Sequence, residues 1–478
     1  MDSHSMSHTC VLSFVAAALL MSGCTTVTTD DRARNVILFV GDGMSLATVT
    51  ASRILEGQQR GGQGEEHLLA FETLPYTALA KVYNTNQQVP DSAGTATAIL
   101  SGHKTLAGVV GVDSRVTRGD CNTEFAARVP SIVQIAEENG MATGIVSTAR
   151  ITHATPAAAY AHSVERGWEN DATLPDTATS CHDIARQLIE FSHGDGIDIV
   201  LGGGGLQFLP DSRGGKRTDG RHLFDDWQAS DPDNHMFVYN RAMLATAVST
   251  VGNKVGRHAR QILGVFAPSH MSYEVDRVRN QTDEPSLTAM TLAAIEHLSP
   301  KEGYFLLVEG GRIDHAHHGG NAARALTETI EFSNAVRAAL ETVSLDDTLI
   351  IVTADHGHTL TIGGYATRGN PILGKVIENG PDGRSTRKPA LDINGQPYTS
   401  LSYANGPGYL ASQKEVMATA DTSDVNYQQQ ATVGLYSETH SGTDVPVYAG
   451  GPGSDNVRGV LEQNKLFDIM ARALGFIR

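Results

Sequence analysis

The chain has 478 residues, 40% hydrophobic and 6% aromatic, enough for an ample core in one large α/β unit or in two or three domains. Lysines and arginines number 36 against 53 acids, a formal net charge of −17. No basic stripe offsets phosphate repulsion, which excludes nucleic acid as the main partner and leaves local cationic centres, such as metal ions, to draw in any anionic substrate.

The first predicted element stands outside the fold. Residues 11–21, VLSFVAAALLM, form an apolar run too short to span a bilayer. Met21-Ser22-Gly23-Cys24 resembles a bacterial lipoprotein signal, with Met21 where leucine is usual and no Lys or Arg ahead of the run. Residues 1–24 are therefore expected to be an export segment and 25–34 a polar tether, with Cys24 acylated. That places the protein in the periplasm or on a membrane held through Cys24. Export leaves Cys121 and Cys181 under oxidising conditions, where a bridge is expected; two separate buried thiols are the alternative.

Apolar runs of strand length follow at 35–40 (NVILFV), 144–147, 198–202, 304–308 (YFLLV), 348–354 (TLIIVTA) and 445–451. Helical patterns lie between them: SIVQIAEENG opens on a Ser cap and closes on glycine, and over 322–343 Leu326, Ile330, Phe332, Val336 and Leu340 share a face. Unalternated strands separated by helices predict an α/β fold with a mostly parallel sheet covered on both faces. Between Thr361 and Gly434 the texture turns rich in Gly, Pro, Asn and charge. Residues 362–434 therefore read as a surface insertion, leaving 35–361 and 435–478 as the core domain. The glycine run 202–205 has neither a Walker lysine nor dinucleotide-fingerprint spacing and reads as a tight turn after a strand.

Ligands of open α/β sheets bind beyond the carboxyl ends of the strands. Three predicted strands end there in acids: Asp42, Glu309, and Asp355 with His356. One such acid would read as a cap; three beside histidines point to cations. Asp314 and His318, four apart, share one helix face and suit a common ion, whereas His315 and His317 point elsewhere. Imidazole with carboxylate in an exported protein favours zinc. Thr155 with Glu309 and Asp42 offers the oxygen set that suits magnesium. In VPDSAGTATAIL, Ser92 follows Asp91 at a predicted helix start, which favours negative charge, among small residues that let either a neighbouring helix or a phosphate approach closely. Arg166 is able to fork two phosphate oxygens, the plain alternative being a surface pair with Glu165 or Glu169. His440 alone reads as a loop histidine.

The ordered stretches VGDGM, PDSAGTATA, THATPA, VEGGRIDHAHH, TADHGH and ETHSG resemble the alkaline phosphatases over nearly the whole mature chain. The resemblance implies hydrolysis of phosphate monoesters through a phosphoserine, with Ser92 as nucleophile and Arg166, steadied by Asp91, as phosphate clamp. It implies one zinc on Asp314, His318 and His440, a second on Asp42, Asp355 and His356 facing Ser92, and magnesium on Asp42, Thr155 and Glu309. His153, His315 and His358 would stand behind these ligands, the first two as in the animal-type enzymes. GGYATRG and YANGPGY resemble the animal-type crown over a homodimer, and Cys121–Cys181 matches a disulfide of that group. A structural calcium site would fall near Glu274 and Glu284.

Related scaffolds serve sulfatases and phosphodiesterases. Ser92 lacks the C/S-x-P-x-R run of a sulfatase, and the third-metal residues Thr155 and Glu309, typically missing from diesterases, are both present.

Overall fold

The computed structural model describes Met1 and residues 32–251, 261–409 and 416–477. The export segment, Cys24 and the tether as far as Asp31 lie outside the described residues. No described helix is long and apolar enough to cross a membrane.

The predicted apolar runs become strands of one sheet. In chain order the first eight strands of that sheet, expected and unexpected, are β1 (Asn35–Gly41), β2 (Tyr76–Lys81), β3 (Ala142–Arg150), β4 (Ile199–Gly203), β5 (His235–Val238), β6 (Gln261–Val265), β7 (Tyr304–Glu309) and β8 (Thr348–Ala354). Strands Val445–Gly450 and Gly459–Glu462 complete a ten-stranded sheet. Across it the order is 459–462, β2, 445–450, β8, β1, β7, β3, β4, β6, β5. Every residue of β1, β7 and β8 is buried, because helices cover both faces of the sheet centre.

One strand departs from the parallel expectation. Val445–Gly450 runs antiparallel to both β8 and β2, while the other neighbouring pairs are parallel. A buried apolar run carries no mark of direction, so the sequence pattern could not show it. The short strands β2, β5, β6 and 459–462 were likewise not legible as separate runs.

The helices follow their local signals. Ser131 caps helix Ile132–Glu138 with Gln134 in a capping box. Helix Ala322–Thr342 buries Leu326, Ile330, Phe332 and Val336 and starts on an Asn321 cap. Gly204, after β4, takes φ +108°, the left-handed turn expected of the glycine run.

Between 360 and 434 the described residues add no strand to the large sheet. They form a small sheet of Leu360–Ile362, Leu401–Gly406 and Ala431–Gly434, and a ladder of Ile377–Asn379 with Ser385–Pro389. Leu360, Ile372, Leu401 and Tyr403 pack on Ala51, Ala322 and Leu326 in a separate apolar cluster. A second satellite cluster gathers Val109, Val112, Val116, Val164 and Trp168, and it is tied by a disulfide between Cys121 and Cys181.

Candidate functional site

Strand order brings the predicted acids together. β1 lies between β7 and β8, with Val40 opposite Glu309 and Gly41 opposite Ala354. Neighbouring strands stand about 4.8 Å apart, so Asp42, Glu309 and Asp355 emerge side by side although they come from distant parts of the chain. All three are fully buried.

Ser92 opens helix Ser92–Ser101, with Asp91 as its cap accepting from Gly94 N. Ser92 is 2% exposed, and its Oγ lies 3.2 Å from His356 Nε2. Asp91 Oδ1 also accepts from Asn84 Nδ2 at 2.8 Å, while Oδ2 accepts from Gly108 N at 2.9 Å and Arg166 Nη1 at 3.0 Å. Arg166 thus faces the site. The surface pairings weighed for it are occupied otherwise, since Glu165 bonds Arg118 and Glu169 bonds Arg150.

Helix Arg312–His318 carries Asp314 and His318 on one face, as their spacing predicts. His318 Nδ1 donates to the Glu438 carbonyl at 2.6 Å, and His440 Nδ1 donates to the Pro90 carbonyl at 2.7 Å. Each imidazole therefore turns a lone pair outward from Nε2. Those two nitrogens lie 3.1 Å apart, each 3.3 Å from Asp314 Oδ1. Three acceptors facing one another repel unless a cation sits among them, so this set fits a metal ion.

A second set shows the same imbalance. Asp42, Asp355 and His356 place ligand atoms within 4.8 Å of one another, as do Asp42, His153 and Glu309. Asp355 is held by Gly43 N at 3.0 Å and His356 N at 2.8 Å. Both Asp42 oxygens, Glu309 Oε1 and Thr155 Oγ1 are buried with no hydrogen-bond partner. Burial first, then repulsion from Asp355, Asp314 and Glu309, holds the Asp42 carboxyl well above its ordinary range. Burial likewise pushes Glu309 to about 7, against a hydrogen bond from Ser147. Cations at both places relieve that cost.

Behind these groups, His153 receives Arg166 Nη2 at 3.2 Å. Its ring lies 5.4 Å from His315 and 5.3 Å from His270, which itself stands 4.0 Å from His315. His358 joins Asp314 Oδ1 at 2.8 Å to Glu438 Oε2 at 2.5 Å. Burial opposes charge on His358, but the hydrogen bonds to Asp314 and Glu438 raise it to about 10. His317 is buried, bonded to Tyr403 and Thr48.

His440 arrives through a two-residue ladder, pairing with His358 while Ser441 pairs with Gly357. Asn84, His270 and Glu438 were not singled out from the sequence; only the "ETHSG" stretch pointed near one of them. Glu274 is bonded to Arg277, and Glu284 to Ser272, so neither carboxylate stands uncompensated as Asp42 does. Neither belongs to a metal-compatible group among the described residues.

An α/β sheet that gathers carboxylate–imidazole metal sites around a buried serine is the architecture of a metal-dependent hydrolase. The chain belongs to the alkaline phosphatase family, whose model matches residues 33–476. It is similar to tissue-nonspecific alkaline phosphatases, 46% identical to that of Gallus gallus over 92% of this chain and 84% of the other. The Homo sapiens isozyme is 43% identical over 92% and 83%. The alkaline phosphatase of Gadus morhua is 42% identical over 93% of this chain and 92% of its own. Among solved structures, the alkaline phosphatase of the Antarctic bacterium TAB5 shares the fold at TM-score 0.64 and 24% identity, covering 94% of this chain and 99% of that one. That of Thermus thermophilus does so at 0.66 and 24%, covering 96% of each chain. The protein is a phosphatase that hydrolyses phosphate monoesters and releases inorganic phosphate.

Proposed function

We propose that Ser92 is the nucleophile of this phosphatase and that hydrolysis runs through a phosphoserine. The observation that carries this is the Ser92 hydroxyl, 3.2 Å from His356 Nε2, with the adjacent Asp91 bonded to Arg166. In this reading Asp314, His318 and His440 hold one zinc ion, and Asp42, Asp355 and His356 a second. Asp42, Thr155 and Glu309 hold magnesium, backed by His153 and His315. Bound there, the cations supply positive charge that favours an ionised hydroxyl and an ionised leaving oxygen.

Arg166 forks two non-bridging oxygens of the phosphate. The start of helix Ser92–Ser101 favours the charge of the phosphate. Ser92 Oγ attacks phosphorus in line as the ester oxygen departs. Water then displaces Oγ, so two inversions give net retention. Since the residues named grip the phosphate alone, the range of leaving groups is broad.

The same reading takes residues 35–361 and 435–478 as the catalytic domain and 362–434 as a crown insertion. Exposed Ile362, Tyr365, Leu391 and Ile393 support its use in a homodimer. Residues 1–24, with Cys24 as acylation site, support export and a lipid anchor.

The test is Ser92→Ala with a monoester, a diester and a sulfate ester as substrates. Monoester turnover should fall by a factor on the order of 10³ or more. The parent enzyme should also take up labelled phosphate on Ser92 at acidic pH. Full turnover by Ser92→Ala would end this reading.

A further inference from the structure

Glu438 belongs to none of the three ligand sets proposed above, yet it bears on the first of them through two routes. The residue is 1% exposed. Its Oε1 accepts from Thr359 N at 2.7 Å and Thr359 Oγ1 at 2.6 Å, which fixes the carboxylate from one side. Its Oε2 accepts from His358 Nδ1 at 2.5 Å, and the far nitrogen of that ring donates to Asp314 Oδ1 at 2.8 Å. Separately, the Glu438 carbonyl accepts from His318 Nδ1 at 2.6 Å. One residue thereby sets the orientation of both Asp314 and His318. The third member, His440, follows two residues later in the chain, so the same short segment places all three.

We propose that Glu438 is the positioning residue of the first cation site, holding Asp314 through His358 with its side chain and His318 with its own carbonyl. The reason is geometric. A metal-binding imidazole needs its other nitrogen fixed so that the lone pair points at the ion, and a binding carboxylate needs a partner that stops it rotating. Without the Glu438 side chain, His358 loses one of two anchors, and Asp314 rests on a ring free to turn. This inference relies on the metal-binding reading above and adds a residue to it.

The experiment compares zinc-loaded parent enzyme with Glu438→Ala, Glu438→Gln and Asp314→Asn. Zinc retained per chain is measured in competition with a chromogenic chelator, and the absorption spectrum is recorded for cobalt-substituted protein. Glu438→Ala should bind zinc at one site about 10- to 100-fold more weakly, the range seen when such outer partners are removed. Its cobalt spectrum should change, and added zinc should restore turnover. Glu438→Gln should lose less, because its amide can still hold a neutral His358. If Asp314→Asn loses zinc while Glu438→Ala binds it as the parent does, the Glu438 inference is wrong and the metal reading stands. If Asp314→Asn also keeps all its zinc, the metal reading falls as well. Should Glu438→Ala not fold, Glu438→Gln decides: zinc affinity and cobalt spectrum identical to the parent's would overturn the proposal.

Discussion

At Asp91 a single carboxylate collects four donors, from Asn84, Gly94, Gly108 and Arg166, two on each oxygen. Arg166 is held at the cleft by Asp91 and by His153, so the firmness of Asp91 bears directly on it. Asp91 and Arg166 were legible because their chemistry suits an anion. Asn84 was not, since an asparagine in the NTNQQ loop reads as a turn former. The coupling between them is testable at Gly94, where an added Cβ would lie 2.4 Å from Asn84 Oδ1. Gly94→Ala should push the Asn84 amide off Asp91, removing a hydrogen bond to a charged group, a loss of about 1.5–3 kcal/mol at most. Steady-state kinetics should show KM and the inhibition constant of inorganic phosphate rising by about tenfold, with a smaller change in kcat. Unchanged phosphate inhibition would show that Asn84 has no part in the clamp.

Among the elements, helix Ser92–Ser101 announces itself, opening on Asp91 and stopping at Gly102 with φ 78°. Its neighbour in function does not. The segment bearing Arg166 has little regular structure, and its order comes from the satellite cluster in which Val164 and Trp168 flank the arginine. The bridge between Cys121 and Cys181 closes a separation of 60 residues around that cluster. Replacing both cysteines by serine should cost about 2–4 kcal/mol of stability, read from the denaturant midpoint. If the cluster also aims Arg166, phosphate inhibition should weaken more than kcat falls; a stability loss with unaltered inhibition would limit the bridge to a structural role. His440 is the opposite case from the helix. A ladder of two residues beside His358 positions it, and no periodicity can be read from two residues.

Over the whole molecule, charge burial gives stability a dependence on pH beyond the cleft. Glu137, near the start of β3, is 2% exposed. Burial, and then Asp198 and Asp195, push its carboxyl up to about 8, although Thr143 donates to it. Between its ordinary value and about 8 the folded chain keeps a proton that the unfolded chain releases. That contribution is complete at acidic pH and is lost as pH rises through this window. Glu137→Gln should therefore gain stability relative to the parent from pH 6 to 9, by an amount on the order of a few kcal/mol. Unfolding measured across that range checks it, and an offset that stays constant with pH would refute it. The sequence alone determined which runs are buried, where acids end them, that Asp314 and His318 share a helix face, and, through ordered motifs, the family. Burial and helical period are local properties, written in neighbouring residues. Only the tertiary structure decided that β1 lies between β7 and β8, that strand 445–450 runs backwards, and that His440 reaches Pro90 across 350 residues of chain. It alone placed Asn84 behind Asp91 and Glu438 behind Asp314. Pairings over such separations are settled by which buried faces pack together, and no short stretch of residues records that choice.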